Sequence, residues 1–147
     1  MSGPRVQAAL CRNGFAFDCS AVNPLLSVRR FGDIPLCRWL MQLWPAIEET
    51  SQPYRVTTQE GHLWQVPNNA GLVDYTATDE LMSIFENNVA RWRPAERKAQ
   101  IISTGFHQET ARKFLQRLDE AIPRMRRIAA ESALPLVFAA SPQCFLA

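Results

Sequence analysis

This chain of 147 residues is poor in glycine, histidine and lysine. Its six glycines stand far apart, so a glycine-rich phosphate loop is excluded. With only two histidines, His62 and His107, a zinc site of three histidines is impossible, and no HExxH motif occurs. No apolar run approaches the ~20 residues of a membrane span, and residues 1–20 lack the pattern of a signal peptide. We therefore expect a soluble, cytoplasmic protein with no membrane partner.

The four cysteines, Cys11, Cys19, Cys37 and Cys144, are spread over the chain and form no CxxC pair. Such spacing is not typical of a metal site or a redox couple. The even number leaves two disulfides formally open, and two histidines with two cysteines could in principle form a mixed metal site. We expect reduced thiols, no metal and no cofactor, because a chain of this length can bury a core of its own.

Hydrophobic periodicity predicts a single α+β domain over residues 1–147 that is mostly helical. Asn23-Pro24 is typical of a helix start and Gly32 of a helix stop, while Asp33 is expected to cap the next helix. That helix carries Trp39 and Trp44, both predicted to lie in the core, and Pro45 is expected to kink it. Predicted helices cover about 4–10, 24–31, 33–47, 78–92, 94–105 and 107–131.

Residues 54–66 predict a β-hairpin with its turn near Gly61. The register of a hairpin follows from which of its faces must be buried. An odd number of loop residues places Val56, Trp64 and Val66 on one face, so we predict an odd loop, which leaves His62 near the exposed tip.

Three further segments have strand character. Residues 15–19 alternate apolar and polar side chains over a short stretch. Leu72–Tyr75 is predicted to be a third strand beside the hairpin, which makes a small antiparallel meander over about 54–76. The continuous apolar run Leu136–Ala140 predicts a buried C-terminal strand.

Positive charge is concentrated in one part of the chain. Residues 1–90 contain six Arg and nine acidic residues, a net charge of −3, whereas residues 91–128 contain ten basic and four acidic residues, a net of +6. Local charge of this kind is typical of a surface that binds nucleic acid or an acidic protein. We expect a small non-enzymatic accessory protein, regulatory or inhibitory, that uses a basic helical face at 91–127. Its candidate binding residues are Arg91, Arg93, Arg97, Lys98, Arg112, Lys113, Arg117, Arg124 and Arg127.

Other interpretations of the same residues stay open. The basic face could be a solvated helix surface, because Glu120 and Arg124 have the i, i+4 spacing of a local ion pair. The apolar stripe from Ala111 to Ile128 could serve a homodimer as well as a core. A small enzyme or ligand-binding domain is a further alternative, with a pocket between sheet and helices and with His62, His107 or a cysteine as the reactive group.

The order of features resembles one known family. Phe31-Gly32 precedes an apolar helix, a hairpin ends at Pro67, and Pro94-Ala95-Glu96 opens a pair of helices. This layout, over roughly residues 31–130, resembles the ArdB and KlcA antirestriction proteins, which inhibit type I restriction enzymes. Their hairpin typically turns at Asn-Gly-Gly, where this chain has Gln59-Glu60-Gly61-His62. The resemblance implies an antirestriction-like inhibitor as an alternative function.

Overall fold

Helices dominate the part of the chain that the computed structural model describes, residues 3–96 and 99–140. Five helices and three short strands follow one another in these two ranges, which confirms the predicted α+β class. None of these helices is both long and apolar enough to cross a membrane. The elements are, in chain order, α1 Pro4–Arg12, β1 Phe17–Asp18, α2 Pro24–Phe31, α3 Pro35–Leu43, β2 Tyr54–Thr58, β3 Gly61–Gln65, α4 Thr78–Arg91 and α5 Ala111–Glu131.

Local capping chemistry explains the limits of α2. The Asn23 side chain accepts a hydrogen bond from the N–H of Leu25 at 3.0 Å, and Pro24 occupies the first turn. Gly32 ends the helix with a φ of 75°, a conformation that glycine adopts at little cost. Both limits agree with the prediction.

The limits of α3 differ from the prediction. Asp33 does not cap the helix, because its carboxylate accepts a hydrogen bond from Arg38 at 2.8 Å instead. The helix ends at Leu43 and does not continue with a kink toward residue 47. Pro45 accounts for the early end, since it has no N–H to donate and its ring would collide with the carbonyl four residues earlier.

The sheet is mixed rather than an antiparallel meander. β3 lies at its centre, antiparallel to β2 and parallel to β1. The N–H groups of Trp64 and Val66 donate to the carbonyls of Ala16 and Asp18 at 2.8 and 2.9 Å. The predicted strand at Leu72–Tyr75 is wrong, because this segment closes into a turn in which the last N–H donates to the first carbonyl at 2.8 Å.

The hairpin register also differs from the prediction. Val56 pairs with Leu63 and Thr58 with Gly61, so the turn contains two residues and not an odd number. The buried residues of β3 are Leu63 and Gln65, whereas Trp64 is only half-buried. Gln65 can be buried because its amide donates to the carbonyl of Asp18 at 2.6 Å. A polar residue on the buried face therefore made the apolar pattern misleading.

The main core lies between α4 and α5. Ala121 and Met125, in the stripe predicted for the long helix, pack there against buried α4 residues that include Ile84 and Phe85. Pro123 lies inside α5 without ending it. A second, smaller cluster joins α3 and the residues that follow it to the loop before α2, through Ala21, Leu40, Trp44 and Ile47.

Residues 99–104 form no helix, so the helix predicted across 94–105 is wrong in the residues described. Side chains from distant segments bind their backbone instead. The buried Asn69 donates to the carbonyls of Ser51 and Ile101 at 2.8 and 2.9 Å and accepts from the N–H of Ser103 at 2.8 Å. Gln52 adds two hydrogen bonds to the backbone of Ile101. We call this set of contacts the Asn69 brace.

The predicted C-terminal strand at Leu136–Ala140 is not formed in the described part of the chain, where these residues pair with no strand. Leu136 is half-buried against the α4–α5 core, while Val137 is 80% exposed. This segment therefore contacts the protein through side chains. Pro135, which has no N–H, cannot donate to a strand ladder. Residues 141–147 lie outside the described ranges.

Replacing Gly71 with alanine is expected to lower the free energy of unfolding by about 2 kcal/mol. Its φ is +70°, and a Cβ would lie 2.9 Å from both Leu26 Cδ1 and Thr76 Oγ1, so strain and overpacking add. Gly14 is the matched control, because its φ is +76° but nothing lies within 4 Å; strain alone predicts about 1 kcal/mol there. Urea unfolding of both variants measures the difference, and equal losses would contradict the steric argument.

Candidate interaction surface

The apolar residues of α3 lie on several sides of the helix, and only one side packs against the rest of the protein. Cys37 and Leu40 are buried. Leu36 and Trp39 point elsewhere and remain 51% and 41% exposed. The core position predicted for Trp39 is therefore wrong, although Trp44 is buried as expected.

Five large apolar side chains between residues 31 and 41 are exposed. Isolated exposed apolar residues are common, but a concentration of them on one surface is typical of an interaction site. Aromatic residues and methionine are also enriched in protein interfaces. We name four of them, Phe31, Ile34, Leu36 and Trp39, the α2–α3 apolar surface. Met41 is exposed on another side of α3, about 160° around the helix from Trp39.

Aromatic contacts connect this surface to the residues that precede α5. The ring of Phe31 meets that of Tyr75 edge to face, with centroids 4.8 Å apart. The Tyr75 ring lies 5.7 Å from that of His107. The end of α2, the turn at residues 72–76 and the approach to α5 therefore form one region.

Asp74 is the buried charge in this region, with a side chain only 2% exposed. Its Oδ2 accepts hydrogen bonds from His107 Nδ1 at 2.5 Å, from the His107 N–H at 3.1 Å and from the Thr110 hydroxyl at 2.8 Å. Its Oδ1 is buried without a hydrogen bond to any described residue. Because an ionised carboxylate can only accept, His107 carries a proton on Nδ1. We name these three residues the Asp74 cluster.

The Asp74 cluster holds an ionised carboxylate in the protein interior. Burial by itself would raise the pKa of Asp74, but the hydrogen bonds from Thr110 and His107, and the charge of His107, together lower it below the ordinary value of 3.8. A buried carboxylate that orients a half-exposed imidazole is also a geometry used in general acid–base catalysis. The Thr110 hydroxyl, however, donates a hydrogen bond to Asp74 and is therefore not a free nucleophile. We interpret the cluster as a tie between the turn at 72–76 and the start of α5.

The predicted basic residues are divided between two places. Arg91 and Arg93 stand at the end of α4, where the Arg93 guanidinium donates to the carbonyls of Ala90 and Trp92. Arg97 and Lys98 lie outside the described residues. The remaining five are on α5, namely Arg112, Lys113, Arg117, Arg124 and Arg127.

Three of the α5 cations line a cleft of about 510 Å³ at the start of α4. Two of them are engaged within the protein. Arg117 donates to the carbonyls of Val73 and Thr76 at 2.5 and 3.1 Å. Arg124 pairs with Asp79 at 2.8 Å. Lys113, whose Nζ lies 5.2 Å from the centre of the Phe114 ring, has neither a carbonyl nor a carboxylate partner among the described residues.

The local ion pair suggested by sequence spacing is also absent from α5. Glu120 accepts hydrogen bonds from Thr78 and Gln116, and it is Asp79 of α4 that pairs with Arg124. Arg127 has a weak contact with Glu131 at 4.0 Å. Two of the five α5 cations, Arg117 and Arg124, are therefore engaged within the protein, whereas Arg112 and Lys113 are exposed and have no carboxylate partner among the described residues.

A cavity of about 950 Å³ in the described part of the chain is mainly apolar and lies between α4, α5, residues 99–105 and residues 134–140. Its volume is within the range of ligand pockets. Neither histidine lines it. Cys19 does, but burial, and to a lesser extent the charge of Asp18, raise the pKa of this thiol, which keeps it protonated and weakly nucleophilic.

Cys11, Cys19 and Cys37 are free thiols, and Cys144 lies outside the described ranges. Within those ranges no three His, Cys, Asp or Glu side chains are grouped as a metal site requires.

Two parts of this region were missed by the sequence analysis. α3 has apolar residues at six of its nine positions, Leu36, Cys37, Trp39, Leu40, Met41 and Leu43, which is more than one buried face needs, so the exposed surface had a signal. Asp74 had none, because its partners are 33 and 36 residues away. Comparison with known protein families, with curated proteins and with solved structures found no match for this chain.

Proposed function

We propose that this protein is a non-enzymatic accessory protein that binds another protein through the α2–α3 apolar surface. The observation that supports this most strongly is the exposure of Leu36 and Trp39 on a helix whose other face is buried. Exposed apolar area of this kind is costly in water, and burial in an interface would remove that cost.

The charge distribution favours a protein over a nucleic acid as the partner. Binding to phosphates requires several cations that are free to contact them. Arg117 and Arg124, central to the predicted basic face, already contact carbonyls and a carboxylate. In this proposal the binding role predicted for residues 91–127 is assigned to residues 31–39 instead.

The alternatives have less support. An enzyme would need a reactive group in a pocket, whereas His107 does not line the large cavity and the pKa of Cys19 is raised. The antirestriction resemblance and the homodimer through the Ala111–Ile128 stripe stay predictions. In that stripe Ala121 and Met125 are already buried against α4.

Site-specific photo-crosslinking in the source organism tests the proposal. A benzophenone amino acid at position 39 should give a discrete adduct with one other protein. The same group at position 137 is the matched control, because Val137 is also apolar and is 80% exposed. The captured protein, once purified, should bind at least 100-fold more weakly to a Leu36→Ser, Trp39→Ser variant, which corresponds to about 2.7 kcal/mol. No adduct at position 39, or the same adduct at position 137, would contradict the proposal.

A further inference from the structure

We infer that the partner presents a short amphipathic helix whose apolar stripe is flanked by acidic side chains. This inference rests on the proposed function and adds the chemistry of the partner. It depends on the spacing of apolar residues on α3 and on the charges beside them.

The shape of the surface fits a helix. Leu36 and Trp39 are three positions apart on α3 and therefore lie on the same side of it. A helix of nine residues is about 13 Å long, and Phe31 and Ile34 extend the apolar area beyond its start. An amphipathic partner helix of two to three turns, with apolar residues at i, i+3 or i+4 and i+7, has the matching length and spacing.

The charges around the surface are mostly positive. From Pro24 to Leu43 the chain has three arginines and one acidic residue, a net charge of +2, and Glu80 beside Arg29 reduces the local net charge to +1. Arg38 pairs with Asp33, and Arg29 lies 3.6 Å from Glu80. Arg30, next to Phe31, is exposed and has no ion-pair partner among the described residues.

A second basic edge lies near the start of α5. Arg112 and Lys113 follow Thr110, whose hydroxyl contacts Asp74 beside the Phe31–Tyr75 contact. Glu109 is an exposed acidic residue in the same stretch. The two cations, Arg112 and Lys113, outnumber it. Acidic side chains on either side of an apolar stripe would complement both edges.

A second copy of this chain fits the surface less well. A twofold interface places each patch against the same patch of its mate, so the unpaired Arg30 would face a patch whose one acidic residue, Asp33, already pairs with Arg38. An anionic membrane surface is also a poorer fit. Polybasic attraction supplies about 1 kcal/mol for each nearby Lys or Arg, and two of the three arginines here already have carboxylate partners.

Selection from a displayed peptide library tests the inference. The peptides carry a fixed apolar stripe at helical spacing and random residues at the flanks. Peptides that bind the wild-type protein should be enriched in Asp and Glu at the flanks. They should bind about fivefold more weakly to Arg30→Glu. Arg55→Glu, a charge reversal at an exposed position on β2, is the matched control and should leave affinity unchanged.

The results separate failure of the inference from failure of the proposed function. Enriched peptides with neutral or basic flanks that still need Leu36 and Trp39 would overturn the acidic partner and leave protein binding standing. A doubled mass in sedimentation equilibrium that Leu36→Ser, Trp39→Ser abolishes would identify a second copy instead and overturn the inference. Binding to phosphatidylglycerol vesicles, lost in the same variant, together with no selected peptides, would overturn both. Circular dichroism of each variant confirms that it folds.

Discussion

Replacing Asp74 with alanine is expected to lower the free energy of unfolding by about 3–4 kcal/mol. Hydrogen bonds to an ionised group contribute roughly 1.5–3 kcal/mol each, though not additively. Three donors from His107 and Thr110 converge on one oxygen of this carboxylate, and the substitution leaves them without their acceptor. Asp79→Ala is the matched control, because it also removes a carboxylate that accepts a side-chain hydrogen bond, but one that is 90% exposed. It should change stability much less.

The pH dependence of stability distinguishes the Asp74 charge from its packing. The folded state lowers the pKa of Asp74 below 3.8, so the ionised carboxylate stabilises the protein above that value and this contribution is lost as the pH falls below it. The stability difference between wild type and Asp74→Asn should therefore be full at pH 5 and should shrink as the pH falls below 3.8. Urea unfolding at several pH values measures it. A difference that grows on acidification would show that the sign of the pKa shift is wrong.

Replacing Asn69 with alanine is expected to cost about 3 kcal/mol and to release residues 99–104. The side chain is 1% exposed and makes three hydrogen bonds to the backbone of Ser51, Ile101 and Ser103. Without it, buried backbone groups lose their partners, each at roughly 1–3 kcal/mol before relaxation.

Hydrogen exchange at Ser103, whose N–H donates to Asn69, measures the local release directly. Its protection should fall in Asn69→Ala beyond the change in global stability. Asn87→Ala is the control, since this exposed amide makes one hydrogen bond to the Glu49 side chain. If the Ser103 N–H stays equally protected from exchange in Asn69→Ala, the Asn69 brace does not hold residues 99–104 in place.

Features with a local cause were predicted from the sequence, and features with a distant cause were not. Asn23-Pro24 and Gly32 set the limits of α2 through neighbours within a few residues. Residues 94–105 have helical spacing, but Gln52 and Asn69, 49 and 32 positions from Ile101, bind the backbone that a helix would use. Hydrogen bonds at such separations leave no periodic pattern in the sequence.

The candidate surface was only partly predictable from the sequence, because burial also depends on contacts between distant segments. Periodicity shows which residues of α3 are apolar, but burial depends on whether another element covers them. Cys37 and Leu40 are covered, whereas Leu36 and Trp39 are not. The charge excess at 91–128 was correct as a count, yet Arg124 found its partner in α4 rather than four residues away.

During synthesis, β1 leaves the ribosome well before the strand that pairs with it. Phe17 lies beside Trp64 in the sheet, so the chain between them must close a long loop, which is slower than forming the two-residue turn of the β2–β3 hairpin. The parallel pair therefore has to wait for the hairpin. Until then the N-terminal helix and β1 have no sheet to pack on, so their apolar side chains stay exposed in the nascent chain.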